Sequence, residues 1–154
     1  MQEALKKLDL MGIEIGVEVL SLKNSYGPEE FVKKCVSTSD LIIVGIPSRL
    51  SQNLTICSIA LAYMYTMEDQ ILNDRIKNHN LRFIANLLGA RQVADVIQEI
   101  DRVEKVIIVG PAEQVKRVSL SIAKTCGGEV ETLEECSEDS LWSITSKRIE
   151  KLSK

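Results

Sequence analysis

Four cations and no acid fall between Arg75 and Gln92: Arg75, Lys77, Arg82 and Arg91. Arg91 and Gln92 follow Gly89, inside "LRFIANLLGARQVADVIQEI", Leu81 to Ile100. The apolar spacing puts Arg91 in the first turn of a helix, where the macrodipole favours an anion and a cation is locally unfavourable. A partner phosphate or base edge would reverse that sign. The competing reading is a surface arginine whose stem packs over Phe83 or Leu87. Residue chemistry alone leaves the two readings level.

Other chemistry is sparse. His79 is the sole histidine and lies between two asparagines, so no serine or cysteine triad can be drawn around it. One histidine and dispersed cysteines are too few ligands for a zinc site. Cys35, Cys57, Cys126 and Cys136 show no Cys-x-x-Cys spacing. Cys35 and Cys57 fall on apolar helix faces and read as small hydrophobes rather than metal or redox groups. Neither standard glycine-rich phosphate loop is present. Two strand-to-helix turns, Gly45-Ile46-Pro47 and Gly110-Pro111, could offer helix N-termini to an anion, although ordinary turn chemistry explains them. The acids Glu129, Glu131, Glu134, Glu135, Glu138 and Asp139 have no base among them and read as a solvated edge. With no nucleophile–base pair, the expectation is a protein that is not an enzyme, with no metal and no cofactor.

The elements that must position these residues follow from periodicity. Ile13, Ile15, Val17 and Val19 alternate as in a half-buried strand. Gly27-Pro28-Glu29-Glu30 opens a helix with the apolar face Phe31, Val32, Cys35 and Val36, and with Lys33 and Lys34 toward its end. "DLIIVG", Asp40 to Gly45, predicts a strand covered on both faces. A buried helix follows, with Leu54, Cys57, Leu61 and Met64 at helical spacing. Glu68 to Asn80 reads as helix end plus loop. Interior glycine costs about 1 kcal/mol in a helix, so Gly89 reads as a turn between two helices: Leu81, Ile84 and Leu88 line one, Val93, Val96, Ile97 and Ile100 the other. "VIIVG", Val106 to Gly110, is a second buried strand. It feeds a helix carrying Val115, Val118 and Ile122, which Gly127-Gly128 stops. "EVETL" is a short last strand, and Leu141, Trp142, Ile149 and Leu152 line a terminal helix. The likeness of "LIIVGIPSR" to "VIIVGPAEQ" reads as shared turn chemistry, and Met1 to Met11 stay unassigned. The pattern predicts one α/β domain over residues 1–154, a small mixed β-sheet flanked by several helices.

Composition agrees with a globular chain: 154 residues, 45% hydrophobic, 27% charged, net charge −3. Nucleic-acid contact on such a molecule would have to be local. No secretory n-region and h-region opens the sequence, which makes a reducing cytoplasm the default expectation. The polar residues within Leu50 to Met67 argue against a membrane span.

The order of these motifs resembles a known family. "LRFIANLLGARQVADVIQEI" is similar to the central signature of the small kinase-binding subunit of the KEOPS complex, the TPRKB type, especially archaeal members. The likeness continues through "VEKVIIVGPAEQVKRV" and "CGGEVETLEECSEDSLWSITSKRI", covering about Asp40 onward; the first forty residues match in outline. It implies a non-catalytic subunit of the machinery that makes threonylcarbamoyl-adenosine in tRNA. Such a subunit binds and stimulates a small atypical kinase/ATPase, and archaeal members dock the tRNA 3′ CCA end. On that reading Arg91, Gln92, Arg82, Lys77 and Arg75 meet tRNA, Gly89 turns the chain, and Trp142 with Ile149 offers an anchor to the kinase. Aromatic residues for base stacking are scarce, at 4%. The alternative is a small nucleotide- or metabolite-binding α/β protein using the two glycine–proline turns.

Overall fold

The computed structural model describes residues 6–10, 13–35, 41–52, 54–72, 79–89 and 98–133. In chain order they form β1 (Lys6–Leu10), β2 (Ile13–Tyr26), α1 (Pro28–Cys35), β3 (Ile42–Ile46) and a 3-10 turn (Ser48–Ser51). Then come α2 (Ile56–Leu72), α3 (His79–Leu88), β4 (Val103–Pro111), α4 (Ala112–Cys126) and β5 (Gly128–Val130). The described residues form a small α/β domain, its sheet flanked by four helices.

The alternating run at Ile13 opens β2, a 14-residue strand. β2 pairs with β4 along one side and with β1 and β5 along the other, and β3 closes the sheet beyond β4. Every described pairing is antiparallel. The two similar runs prove to be neighbours, Ile42-Ile43-Val44 lying opposite Ile107-Ile108-Val109. Side chains alternate across a strand, so each of these strands feeds two cores. Ile15, Val17, Val19, Ile42, Val44, Ile46, Ile107 and Val109 pack toward α2 and α3. Leu20, Ile43, Val106 and Ile108 pack toward α1 and α4. Each fully buried Ile, Val or Leu contributes roughly 1.5–3 kcal/mol.

Local signals set the helix ends. Pro28 begins α1, acids Glu29 and Glu30 follow, and Lys33 and Lys34 close it. α2 starts in a capping box: Ser58 N–H donates to Thr55 Oγ1 at 3.0 Å and Thr55 N–H to Ser58 Oγ at 2.9 Å. α4 ends at Gly127, whose φ of 71° is left-handed and whose N–H donates to the Ala123 carbonyl.

Four expectations are corrected and one open segment is assigned. Val32, assigned to the apolar face of α1, is 57% exposed, and Phe31 with Cys35 carries the burial. In α2 the deepest residues are Ile59, Ala62 and Thr66, whereas Cys57, Leu61 and Met64 are half-buried. A helix apolar on most sides gives no single face for periodicity to select. His79, placed in a loop, opens α3. Residues 6–10, left unassigned, are β1, which pairs with the start of β2. Cys35 and Cys57, read as apolar thiols, are both disulfide-bonded: Cys35 is buried and joined to Cys126, Cα–Cα 6.3 Å, which links α1 to α4. Paired cysteines belong mainly to oxidising compartments or to hyperthermophile interiors, which bears on the cytoplasmic expectation. Among the described residues no helix is long and apolar enough to cross a membrane.

Candidate nucleic-acid interface

α2 and α3 pack side by side, and a polar network is buried between them. Thr66 Oγ1 donates to the Ala62 carbonyl one turn back, at 2.7 Å. Asn86 Nδ2 donates to Thr66 Oγ1 at 3.0 Å and to Asp69 Oδ2 at 3.1 Å. Arg82 Nε donates to the same Asp69 oxygen at 3.1 Å. Thr66, Asp69 and Asn86 are all buried, while the Arg82 side chain is 24% exposed. A buried carboxylate needs such partners, because desolvation penalises an unpaired charge heavily. The network thus holds one guanidinium by its Nε at the protein surface. Among the described residues no acceptor bonds to its Nη1 or Nη2.

α3 runs on to Leu88, and Gly89 leaves it with φ 73°. A left-handed residue after a helix C-terminus is what glycine supplies without a Cβ penalty. Gly89 thus ends α3, and the second helix expected after it falls at residues outside those described. Arg75, Lys77, Arg91, Gln92, Trp142 and Ile149 lie outside the described residues, so of the expected tRNA contacts the structure places Arg82 alone. In the sequence Arg82 is one of four cations with no acid among them. Its partner lies thirteen positions earlier on another helix, between Glu68 and Gln70, where nothing in the sequence marks it for burial.

The alternative site at the two glycine–proline turns fares differently. After Pro47 the chain makes only a four-residue 3-10 turn, and its Ser48 N–H donates to Glu104 Oε1 at 3.0 Å. Arg49, which the sequence reading passed over, bonds Asp101 Oδ1 at 3.0 Å and the Glu99 carbonyl. That guanidinium holds the exposed Asp101 carboxyl below its ordinary pKa. The second turn opens α4 with Glu113 in its first turn and no side-chain cap. A carboxylate at each turn repels a phosphate where the helix dipole would attract one.

Other groups have structural partners. Glu18 is buried under α4, accepting a hydrogen bond from Ser119; burial pushes its carboxyl pKa up and the Ser119 bond opposes this. Burial likewise raises the Tyr63 hydroxyl pKa. Glu131 of the acidic run accepts from Lys105 Nζ at 2.6 Å. Among the described residues no group of three or more His, Cys, Asp or Glu side chains could hold a metal ion. No protein-family model and no curated protein matches the chain.

Proposed function

We propose that this chain is a non-catalytic adaptor of the KEOPS type, which binds and stimulates a small atypical kinase/ATPase and docks the 3′ CCA end of tRNA. The observation that carries the reading is Arg82, fixed through Nε by the buried Asp69–Asn86–Thr66 network, on the helix that Gly89 turns just before Arg91 and Gln92. A guanidinium held by one edge keeps its other donors for a phosphate or base. The small α/β fold agrees with what the resemblance implies.

The test is filter binding with intact tRNA and tRNA trimmed of CCA, at several salt concentrations. Arg91→Glu should weaken binding of intact tRNA by about 1–3 kcal/mol, more than any single change among Lys116, Arg117 and Lys124. Arg82→Gln should weaken it in the same direction. Each lost phosphate contact should reduce the salt slope by roughly 0.7. Trimmed tRNA should bind wild type and Arg91→Glu equally poorly. Equal affinity of both for intact tRNA returns Arg91 to a surface packing role. Co-elution with the kinase is the companion measurement, and a charge placed at an exposed position of the segment bearing Trp142 and Ile149 should abolish it.

A further inference from the structure

Among the described residues β3 is an edge strand, and the side turned away from β4 opens into an apolar groove of about 480 Å³. One wall is α1, through Phe31 and Val32; the other is α3, through Leu81 and Ile84. Ile43 and Gly45 of β3 form its floor, with Asn80 at its side. In an antiparallel ladder alternate residues turn their N–H and C=O outward. The Ile43 N–H shows which residues these are, since it donates to Asn80 Oδ1 at 3.2 Å rather than to β4. A side-chain amide there fills the position that the carbonyl of a further strand would take. Two residues along, Gly45 has the same orientation, and none of the described residues bonds to its outward N–H or C=O.

We infer that the open edge of β3 is a docking site for an extended peptide segment of a partner protein, added as a further strand between α1 and α3. The rim of α1 specifies its charge. Glu29 and Lys33 both border the groove, and neither has an ion-pair partner among the described residues. Four helical residues rise about 6 Å, nearly the span of two residues of a strand, about 6.6 Å. One face of an added strand therefore matches this rim with a base and an acid two positions apart. The opposite face meets Leu81 and Ile84 and calls for apolar, β-branched residues. An alternating apolar–basic–apolar–acidic–apolar peptide satisfies both walls and pairs its main chain with Gly45. This inference stands apart from the tRNA reading and uses none of its residues.

The probe is the capped pentapeptide Val-Lys-Val-Glu-Val, together with its reversed order, an all-acidic version and one N-methylated at the central valine. Binding to the full chain is followed by amide exchange and by chemical shifts of the backbone N–H groups. The Gly45 amide, to which none of the described residues bonds, should slow in exchange at least tenfold on saturation with one of the two mixed-charge orders. N-methylation and the all-acidic sequence should each weaken binding at least fivefold. Val32→Lys and Lys33→Glu, both at exposed positions, should weaken it by a similar factor while leaving the circular dichroism unchanged. Equal binding of the N-methylated peptide would mean adsorption to an apolar cavity and would overturn strand addition. Unchanged Gly45 exchange at millimolar peptide overturns it as well.

Discussion

Asp69 receives hydrogen bonds from Arg82 and Asn86 through one oxygen, so its removal strands two donors at once. Asp69→Ala should destabilise the fold by about 1–3 kcal/mol, the scale for a charge-assisted network that is partly exposed. A shift in the urea midpoint at constant m-value measures this, and an unchanged midpoint would show the network to be energetically idle. Glu18 gives a pH prediction of definite sign. Burial raises its folded pKa above the unfolded value, so the folded state retains the proton to higher pH. The stability it contributes is full below the unfolded pKa and declines as pH rises through the folded one. Glu18→Gln should flatten that decline in denaturant midpoints taken from about pH 4 to about pH 8, and an unaltered slope counts against it. Neither residue was singled out from sequence. A buried acid leaves no mark in a chain with 22 acids, most of those described being exposed.

Punctuation was the most legible feature at the level of elements. Pro28 starts α1, Gly89 ends α3 and Gly127 ends α4, each where residue chemistry placed it. An added Cβ at Gly127 would meet nothing closer than Lys23 Cδ at 3.7 Å. The cost of Gly127→Ala is then conformational, about 1–2 kcal/mol for a left-handed residue. Gly127→Asn should cost less, and paired thermal melts would rank the two. Less legible was the rotation of α2 about its axis, because Cys57, Leu61 and Met64 are as apolar as the residues that face the core. The Cys35–Cys126 bond was not legible either, since two cysteines 91 positions apart carry no pairing signal. Its closed loop predicts a loss of about 4–5 kcal/mol on replacing both cysteines with alanine, in the chain-entropy account. Guanidinium unfolding of the wild type beside the Cys35→Ala/Cys126→Ala variant, both without reductant so that the Cys57 bond stays closed, should give that difference, and a gap near zero would contradict it.

For the molecule as a whole, two carboxylates stand at the turns that a nucleotide binder would use. Glu104 occupies the amide of the first proline turn and Glu113 sits in the second. Neither ATP nor GTP should raise the melting temperature, and a saturable rise would restore the nucleotide reading. The strand and helix succession made the α/β architecture readable, because each buried run is bounded by glycine or proline. Of the candidate site, the sequence showed Arg82 but not the acid that orients it, and the other expected contacts lie outside the described residues. β2 has one further consequence, in time. Its hairpin partner β1 precedes it, but Val19 pairs with Ile107 and Leu20 with Val106 across most of the chain. At a synthesis rate of about 5–20 residues per second, the strand emerges roughly 5–20 s before β4 exists. During that interval a long apolar ribbon is open to the wrong partners, so the yield of soluble protein should depend on translation speed and chaperone supply more than on native stability.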